Sequence, residues 1–566
     1  MFRLHSSWPF AAAAFVAVIA LAGCGKQESE ASAENGVGPR KNLLLISIDS
    51  LRADRVGVYG HTPWFTPDLA VTPELDRLAL KSIVFDQAWS SSSWTLPAHA
   101  SMFTGLDDLG HGVINEAFIV DPAQQTLAEF LSATGYQCYG VYSGPFLKPR
   151  WGFGRGFERY ESAMMGPTDV EKQMLEWREN QVEAGLPEPT DEQLALIKRH
   201  ATLWDVTSPR VNQKANRVLE QVAQTEQPFF LFLHYYDVHY DYIPERANPA
   251  LKTLFDPGYA GTMTGQDWHG NPAVRNKKAP YERRINERDL HHVEALYDGE
   301  IHWVDSHIGA IFDELRRLDL ADDTVVAIVS DHGDEFFDHG SIGHRISLFP
   351  ELNKMVFMLH IPGRTTSPKR SQQMTSMMDV APTLLEAVGV DDIWTQPMGS
   401  SRLSAPPMAN AKGVFSHLLV DTPQGLRLIE CWRGERFTVM RPFTIDPSAK
   451  ESIRLVQKLF PDKSPAYYVY DREQDPNELK PIPPTHAAYL HAVQKMATDF
   501  DLQKRQRERV LLSDFELRNS PLASDSSEKA DLQALGYGDG PSDPLQADGE
   551  YLPLEPLPTP VVPIRQ

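Results

Sequence analysis

Residues 43–54 read LLLISIDSLRAD. The stretch opens with a short and nearly uninterrupted apolar run, LLLISI at 43–48, and Asp49 follows directly. A run of this length and composition is typical of a strand that is buried on both faces of a parallel sheet. Four similar runs follow along the chain, with helical patterns between them, at residues 137–143, 229–236, 324–330 and 355–361. This alternation predicts an α/β fold in which helices flank a large, mostly parallel central sheet.

Polar side chains follow three of these predicted strands. They are Asp49 after the first run, Asp237 and His239 after the third, and Asp331 and His332 after the fourth. Ligands of open α/β sheets bind beyond the carboxyl ends of the strands, so we expect these side chains to share one edge. Carboxylates alone suit Mg²⁺ or Ca²⁺, whereas an imidazole shifts the preference toward Zn²⁺ or Mn²⁺. The alternative interpretation of each single aspartate is a helix cap or a turn.

Residues 91–105 read SSSWTLPAHASMFTG and contain a second candidate for chemistry. Pro97 suits the first turn of a helix, which places Thr95 at or just before the helix start. A hydroxyl at such a position commonly caps the helix. The other interpretation is that Thr95 is a nucleophile, aimed at a place where backbone amides can hold an anion.

The N-terminus has the pattern of an export signal. Arg3 precedes an apolar stretch at 9–22 that is short for a bilayer span, and LAGC ends this stretch at Cys24. LAGC resembles the lipobox of bacterial lipoproteins, which implies removal of residues 1–23 and acylation of Cys24. Because Gly25 follows rather than an aspartate, the resemblance favours the outer membrane and periplasm within a bacterial cell envelope. The alternative is a plain secretory signal with a chance cysteine.

Composition divides the rest of the chain into four parts. The polar residues 24–41 predict a flexible tether, and residues 42–405 hold the alternating strands and helices of a catalytic domain. Short strand patterns and a final helix in residues 406–518 predict a smaller C-terminal α+β subdomain. The proline-rich residues 519–566 predict a disordered tail.

Charge and cysteine content limit the partners. The net charge of −22 over 566 residues argues against general affinity for nucleic acid, because no basic footprint is available. An anionic substrate must therefore be held by local cations such as a metal, a histidine or an arginine. Beyond Cys24, the chain has only Cys138 and Cys431. These two either form a disulfide in an oxidising compartment or remain separate buried thiols.

A series of motifs resembles the sulfatase family of the alkaline phosphatase superfamily, and the motifs occur in the family's order. They are LLLISIDSLRAD (43–54), TLPAHASMFTG (95–105), FLHYYDVH (232–239), LYDGEIHWVD (296–305), IVSDHGDEF (328–336), GH (343–344), DVAPTLLEAVGV (379–390) and YVYDREQDPNEL (468–479). The resemblance implies an alkaline phosphatase-like, sulfatase-like fold and a sulfuric ester hydrolase. It also implies a divalent metal ion, with Asp49, Asp331 and His332 as ligands. Thr95 falls on the nucleophile position and would also touch the metal.

Histidines fill further positions of the family's site. The resemblance implies that His239 and His344 contact the transferred group or assist the leaving group, and His99 stands where the family has an arginine. His234 and Asp237 are nearby candidates. A second metal held by Asp237, His239 and His344 is an additional hypothesis, as in phosphodiesterases of the superfamily.

The departures from the family pattern bear on the chemistry. Sulfatases oxidise a Cys or Ser to formylglycine, but oxidation of Thr95 would give a ketone, which hydrates far less readily than an aldehyde. The arginine of the maturation motif is replaced by His99, so formylglycine is not expected. Ser50 stands in place of a second aspartate ligand, and His332 in place of an asparagine. Asp, Asp and His with a Thr nucleophile resemble relatives that transfer phosphoryl groups.

Three functional hypotheses follow from these observations. The first is a metal-dependent hydrolase of sulfate or phosphate esters with Thr95 as a metal-activated nucleophile, acting on a glycan, a lipid or a small molecule. The second is a phosphoryl or phosphoethanolamine transferase that modifies envelope glycans or lipids. The third is an inactive sulfatase fold that serves as a binding lipoprotein.

Overall fold

The structure is a computed structural model that describes residues 40–166, 205–265, 284–390, 392–404, 413–422, 425–445 and 467–512, together with 268, 271, 273–274 and 520–521. The predicted signal peptide, Cys24 and most of the predicted tether lie outside these residues. So does the predicted tail, apart from Ser520 and Pro521. No helix within the described ranges is long and apolar enough to cross a membrane.

Eighteen strands are assigned in the described residues. In chain order they are β1 (Asn42–Ile48), β2 (Ile83–Phe85), β3 (Ala88–Trp89), β4 (Phe118–Ile119), β5 (Gln137–Tyr142), β6 (Arg159–Ser162), β7 (Phe229–Tyr235), β8 (Thr324–Ser330), β9 (Glu335–Phe336), β10 (Ile342–Gly343), β11 (Phe357–His360), β12 (Lys369–Ser371), β13 (Thr375–Ser376), β14 (Val414–Thr422), β15 (Gly425–Arg433), β16 (Phe437–Ile445), β17 (Tyr468–Asp471) and β18 (Ser520–Pro521). All five predicted apolar runs form strands, as expected.

The α-helices in the same residues are α1 (Pro73–Ala79), α2 (Thr95–Thr104), α3 (Asp108–His111), α4 (Leu127–Ala133), α5 (Ser208–Val222), α6 (Leu251–Leu254), α7 (Glu287–Arg317), α8 (Pro350–Asn353), α9 (Val380–Ala387) and α10 (Ala487–Leu512). Helices α5 and α7 cover the helical patterns that the sequence shows at 209–224 and 301–318, and α7 begins earlier than its pattern. The start of α7 is capped by Asn286, whose side chain accepts a hydrogen bond from the Asp289 backbone N–H.

The central sheet has eight strands in the order β12-β2-β11-β8-β1-β7-β5-β6. Strand β1 lies between β8 and β7 and runs parallel to both, and β5 and β6 continue the parallel part. Strand β11 differs from the expectation, because it runs antiparallel to both β8 and β2. Residues 331–356, which include β9, β10 and α8, connect β8 to β11 without the crossover to the opposite end of the sheet that a parallel neighbour requires. The sheet is mostly parallel, as predicted.

Both faces of the central sheet are covered by helices. Leu43 and Leu45 of β1 pack into one core with residues of α2, α4 and α9. Leu44 and Ile46 pack into a second core with residues of α1, α5 and α7. The alternation of side chains along a strand thus sends neighbouring leucines into different cores, which explains the continuous apolar run.

The C-terminal subdomain is a four-stranded antiparallel sheet in the order β14-β15-β16-β17, with α10 packed on it through Ala492 and Met496. The described residues from Arg40 onward form one compact unit. Arg433 of β15 joins the subdomain to the catalytic part, since its guanidinium donates to Asn353 Oδ1 at 2.7 Å and to the Leu348 carbonyl. The predicted boundary at residues 405 and 406 lies outside the described residues.

The two internal cysteines do not form a disulfide. Cys138 and Cys431 are both free and buried. Burial raises the pKa of each thiol to about 12, so neither is a reactive thiolate near neutral pH.

Candidate active site

The carboxyl ends of β1 and β8 place two aspartates side by side. In the sheet register Ile48 lies opposite Ser330, and Asp49 and Asp331 are the next residues on their strands. Asp331 Oδ1 accepts hydrogen bonds from the backbone N–H groups of Ser50 (3.1 Å) and His332 (2.8 Å). Both carboxylates are almost completely buried. The predicted meeting of strand-end side chains at one edge is therefore seen in the structure.

Thr95 is the first residue of α2 and lies next to Asp49 of this pair. Its Oγ1 is 3.3 Å from Asp49 Oδ2 and 3.3 Å from His332 Nε2, and its side chain is 4% exposed. Trp94 is the helix cap residue, and no side chain caps this helix. The Thr95 hydroxyl therefore points toward the strand ends rather than to its own backbone, which favours the nucleophile over the cap interpretation. Pro97 lies in the first turn, as predicted.

The two carboxylates have opposite pKa shifts. Burial raises the pKa of the Asp331 carboxyl well above its usual range, and the charge of Asp49 raises it further. Burial alone would also raise the pKa of Asp49, but His234 and other nearby histidines outweigh burial and hold it far below its usual range. Ionising both of these neighbouring buried carboxyls costs free energy unless a cation lies between them.

Asp49, Asp331 and His332 have ligand atoms that fit a divalent metal ion. Their donor atoms lie within 4.8 Å of one another, and Asp331 Oδ2 has no hydrogen-bond partner among the described residues. His332 Nδ1 donates to the Gly333 carbonyl at 3.0 Å, so Nε2 keeps its lone pair and is available as a ligand. The mixed oxygen and nitrogen set is the one that the sequence predicts.

Two other groups of potential ligands fit a metal less well, because their atoms are already in use. His99, His234 and Asp331 form one such group. His99 Nδ1 lies 2.9 Å from the Thr95 carbonyl and therefore donates to it, and His99 Nε2 accepts from Ser47 Oγ at 2.9 Å. No lone pair is left on His99.

His99 is a buried, neutral histidine within the helix-to-sheet contact. It is fully buried, and burial, together with the neighbouring His234, lowers its pKa to about 3. Its two hydrogen bonds tie the first turn of α2 to β1. The structure thus places His99 where it positions Thr95 rather than where it can hold a charge, unlike the arginine that the family has there.

His239 and His344 form a row of imidazoles with His332. The ring centroids of His239 and His344 are 5.0 Å apart, and those of His344 and His332 are 4.5 Å apart. His239 Nδ1 donates to the Tyr240 carbonyl at 2.9 Å, and His344 Nδ1 donates to Asp334 Oδ1 at 2.6 Å. Each ring therefore presents an unprotonated Nε2.

These two rings are neutral near pH 7. Burial lowers the pKa of His239 to about 4. Burial and His332 lower the pKa of His344 well below its usual value. The leaving-group role that the resemblance implies requires a proton on Nε2, whereas the resting geometry provides a lone pair there.

Asp334 is a site residue that the sequence analysis did not identify. Its Oδ1 holds His344, and its Oδ2 accepts from the Tyr242 hydroxyl at 2.6 Å. Burial raises its pKa to about 6, so it is charged at neutral pH. Asp334, His332 and His344 are the third group of potential ligands, but both Asp334 oxygens already accept hydrogen bonds. The signal in the sequence was the second aspartate in SDHGDE, three residues after Asp331.

Asp237 does not belong to the site. Its Oδ1 accepts from the Thr207 backbone N–H (2.6 Å) and hydroxyl, and its Oδ2 from the Ser208 backbone N–H (2.8 Å). It therefore binds the N-terminus of α5, where a carboxylate is favoured by the unpaired amides and the helix dipole. The hypothesis of a second metal held by Asp237, His239 and His344 is therefore wrong about Asp237, whose oxygens are used at the start of α5. His234 does lie at the site, with Nε2 at 3.4 Å from Asp49 Oδ2.

The sequence matches the sulfatase family over residues 41–390, which is more than half of the chain. A multifunctional alkaline phosphatase superfamily protein, PehA of Trinickia caryophylli, is 25% identical over 395 residues, which cover 62% of this chain and 74% of the relative. The arylsulfatase of Clostridium perfringens is 24% identical over 382 residues, which cover 61% of this chain and 74% of that enzyme. The crystal structure of a phosphonate monoester hydrolase of Agrobacterium radiobacter superposes with a TM-score of 0.54 at 19% identity, covering 83% of this chain and 96% of that one.

The fold and the strand-end site define a hydrolase of the alkaline phosphatase superfamily. Within that superfamily, this chain belongs to the sulfatase family. Members of the family are metal-dependent, and Asp49, Asp331 and His332 form one of the groups that could hold such an ion. The enzyme is accordingly of the sulfuric ester hydrolase type and acts on an anionic ester.

Proposed function

We propose that this enzyme hydrolyses sulfate or phosphate esters with an unmodified Thr95 as its nucleophile. The observation that carries the proposal is the position of the buried Thr95 Oγ1 at the start of α2. This oxygen lies 3.3 Å from Asp49 Oδ2 and 3.3 Å from His332 Nε2. A threonine cannot become formylglycine, so the hydroxyl itself must attack. We further propose Zn²⁺ or Mn²⁺ as the metal, because the ligand set includes an imidazole.

Asp49, Asp331 and His332 would hold the metal. Bound there, a divalent cation lowers the pKa of the Thr95 hydroxyl and offsets the negative charge of the ester. Asp49 Oδ2 accepts the hydroxyl proton in the hydrogen bond seen in the structure and so orients the Thr95 oxygen. His99 keeps the same turn of helix in place through the Thr95 carbonyl.

Thr95 Oγ1 would attack phosphorus or sulfur in line and form a covalent ester, while the bond to the leaving oxygen breaks. Phosphorus is the better fit, because water can release a phosphothreonine by attack at phosphorus. A threonine sulfate is harder to release in this way, since Thr95 would be a poor leaving group. The similarity to proteins described as an arylsulfatase, a multifunctional superfamily protein and a phosphonate monoester hydrolase supports a site that accepts esters of either sulfur or phosphorus.

His239 and His344 act, in this proposal, through their unprotonated Nε2 atoms. Each can take a proton from the water that releases the intermediate, because its Nδ1 proton is held by an acceptor. They can alternatively coordinate a second cation without Asp237. Metal analysis distinguishes these roles, since the first predicts one metal ion per chain and the second predicts two.

The decisive experiment tests residue 95 directly. Purified enzyme is incubated with an aryl sulfate, a phosphomonoester and a phosphodiester in the presence of Zn²⁺, Mn²⁺, Mg²⁺ or Ca²⁺. Brief exposure to the best substrate, followed by peptide mapping, should show an added phosphate or sulfate on Thr95. Thr95→Ala should lose turnover by at least about 10³-fold, whereas Thr104→Ala on the same helix should not. Equal turnover by the Thr95→Ala variant would refute the proposal.

The same assay separates hydrolysis from the two alternatives. Free phosphate or sulfate without a modified acceptor indicates hydrolysis, whereas a modified glycan or lipid indicates transfer. An enzyme with neither turnover nor metal affinity would instead support the binding lipoprotein. For the location we propose a lipid anchor at Cys24 in the bacterial envelope, which the LAGC motif supports.

A further inference from the structure

A cavity lies in the part of the protein where Lys354, Trp89 and Arg472 come together. It has a volume of about 480 Å³ and lies between the catalytic part and the loops of the C-terminal sheet. We propose that this cavity binds a small organic anion, through a carboxylate or a phosphate or sulfate ester group. We call it the Lys354 cavity. The proposal does not depend on the function of Thr95, because Thr95, Asp49 and Asp331 do not line the cavity.

Two cations in the wall of the Lys354 cavity lack a carboxylate partner among the described residues. The Lys354 ammonium makes no ion pair there, although the residue is half-buried. The Arg472 guanidinium donates to the Gly434 carbonyl (2.6 Å) and to the side-chain oxygen of Gln87, which are neutral acceptors. Burial lowers the pKa of Lys354, and it lowers the pKa of Arg472 to about 10. Two half-buried positive charges that repel each other and contact no carboxylate directly favour an anion near them.

A buried donor in the same wall also lacks an acceptor. Trp89 is 3% exposed and lines the cavity, and its indole N–H has no hydrogen-bond partner in the described part of the chain. The guanidinium groups of Arg433 and Arg472 lie 4.3 Å and 5.0 Å from the centre of its ring. An unpaired buried N–H is energetically unfavourable. The Trp89 ring packs against the Arg472 guanidinium and so reports a ligand that binds there.

The acidic residues of the wall do not offset these cations. Four of the five acids already have a basic partner. Arg52 pairs with Asp54 and Asp338. His339 pairs with Glu351, and Arg436 pairs with Glu473. The fifth, Glu435, is exposed at the rim. The interior of the cavity therefore presents Lys354 and Arg472, beside the Trp89 ring, to a ligand.

The size of the cavity selects the class of ligand. Its volume lies within the range of about 300–1,000 Å³ of small-molecule sites and exceeds the space that an inorganic anion fills. An organic acid or an acidic monosaccharide fits both the volume and the donors. The neutral part of such a ligand would extend toward the rim, while its anionic group contacts Lys354 and Arg472.

Fluorine NMR of the whole enzyme labelled with 5-fluorotryptophan tests the proposal. The chain has 11 tryptophans, and Trp89→Phe and Trp94→Phe assign the two signals that matter. Trp94 precedes Thr95 and reports occupancy of the catalytic centre, whereas Trp89 reports the Lys354 cavity. The probes are glucuronate, glucose 6-phosphate and inorganic sulfate, with glucose as the neutral control.

We expect glucuronate or glucose 6-phosphate to shift the Trp89 signal saturably, whether or not the Trp94 signal moves. The probe that shifts it shows whether a carboxylate or a phosphate ester is preferred, and glucose should have no effect. Lys354→Met or Arg472→Gln should weaken binding by about ten-fold or more. Lys480→Met, which removes an exposed lysine of the same segment, should bind as wild type.

Three results would overturn the proposal. They are an unmoved Trp89 signal with every anion, an equal response to glucose, and unchanged affinity in both the Lys354→Met and the Arg472→Gln variants. Thermal unfolding of each variant establishes that it is folded before it is titrated. Failure of the Thr95 chemistry would change the Trp94 response and the turnover but would leave the Trp89 response intact.

Discussion

In four histidines of the catalytic centre, a neighbouring acceptor fixes the ring proton on Nδ1. His332, His99 and His239 donate from Nδ1 to backbone carbonyls that lie one to four residues away. Such acceptors cannot be removed by a side-chain substitution. His344 is the exception, because its Nδ1 partner is the Asp334 side chain. The state of His344 can therefore be altered by mutation at a distance from the substrate.

Asp334→Ala should lower kcat/KM by about 10- to 100-fold, because His344 loses the acceptor that orients its ring. The measurement is steady-state turnover of the best ester together with bound metal. Tyr242→Phe is the matched control, since it removes only the hydroxyl that donates to the other Asp334 oxygen. We expect it to lower kcat/KM by only a few-fold. An unchanged Asp334→Ala enzyme would show that His344 needs no support.

At the scale of elements, the catalytic part and the C-terminal sheet meet through buried ion pairs. His417 of β14 lies with Nδ1 at 3.4 Å from Asp108 of α3 and with Nε2 at 3.4 Å from Glu430 of β15. Burial alone would lower the pKa of His417, but the two carboxylates outweigh burial and raise it to about 9. A charged imidazole thus joins α3 to two neighbouring strands.

The stability of this contact should fall as the pH rises. The pKa of His417 is higher in the folded than in the unfolded chain, so its stabilisation is complete below about pH 6.5 and is lost as the pH passes about 9. The loss in the free energy of unfolding is at most about 3 kcal/mol. Urea unfolding of the wild type and of His417→Gln between about pH 6 and about pH 9.5 measures it. The variant should be less stable at the lower pH and should show a shallower pH dependence. Parallel curves for the two proteins would contradict the assignment.

At the scale of the whole molecule, two parallel strands bring together carboxylates that are 282 residues apart in sequence, Asp49 and Asp331. Both are buried in the same small volume. The fold therefore carries an electrostatic cost that a bound cation offsets. Stability and metal content should be coupled in this protein.

Chelation should lower the thermal unfolding temperature and abolish turnover, and Zn²⁺ or Mn²⁺ should restore both. A ligand at 100 times its Kd stabilises a fold by about 2.7 kcal/mol, which is large enough to resolve by calorimetry. In Asp331→Asn the chelator should have little effect, because the ligand set is incomplete. A chelator effect of equal size in wild type and variant would place the metal elsewhere.

The predicted lipid anchor is also a property of the whole chain. Cys24→Ala should abolish labelling by a radioactive fatty acid in a bacterial host and should move the protein from the membrane fraction to the soluble fraction. Cys138→Ala is the control, because this thiol is buried within the sheet. Retention of the label in Cys24→Ala would exclude acylation at this cysteine.

The sequence by itself determined the α/β class, the five strands and the meeting of Asp49, Asp331 and His332, whereas Thr95 joined this group only through the resemblance to the family. Apolar runs and the residues that directly follow them are local features, and parallel strands necessarily end at a common edge. The antiparallel direction of β11 was not predictable in this way, because it depends on the path that residues 331–356 take from β8 back to the sheet.

The tertiary structure alone decided between Asp237 and Asp334. Each aspartate follows a strand of the sheet within a few residues, so the sequence pattern does not distinguish them. Asp237 meets the N-terminus of α5, thirty residues earlier in the chain, and its oxygens are used there. Asp334 instead meets His344 and Tyr242. The partners of a buried carboxylate come from other elements, so packing rather than local sequence decides which aspartate supports the catalytic centre.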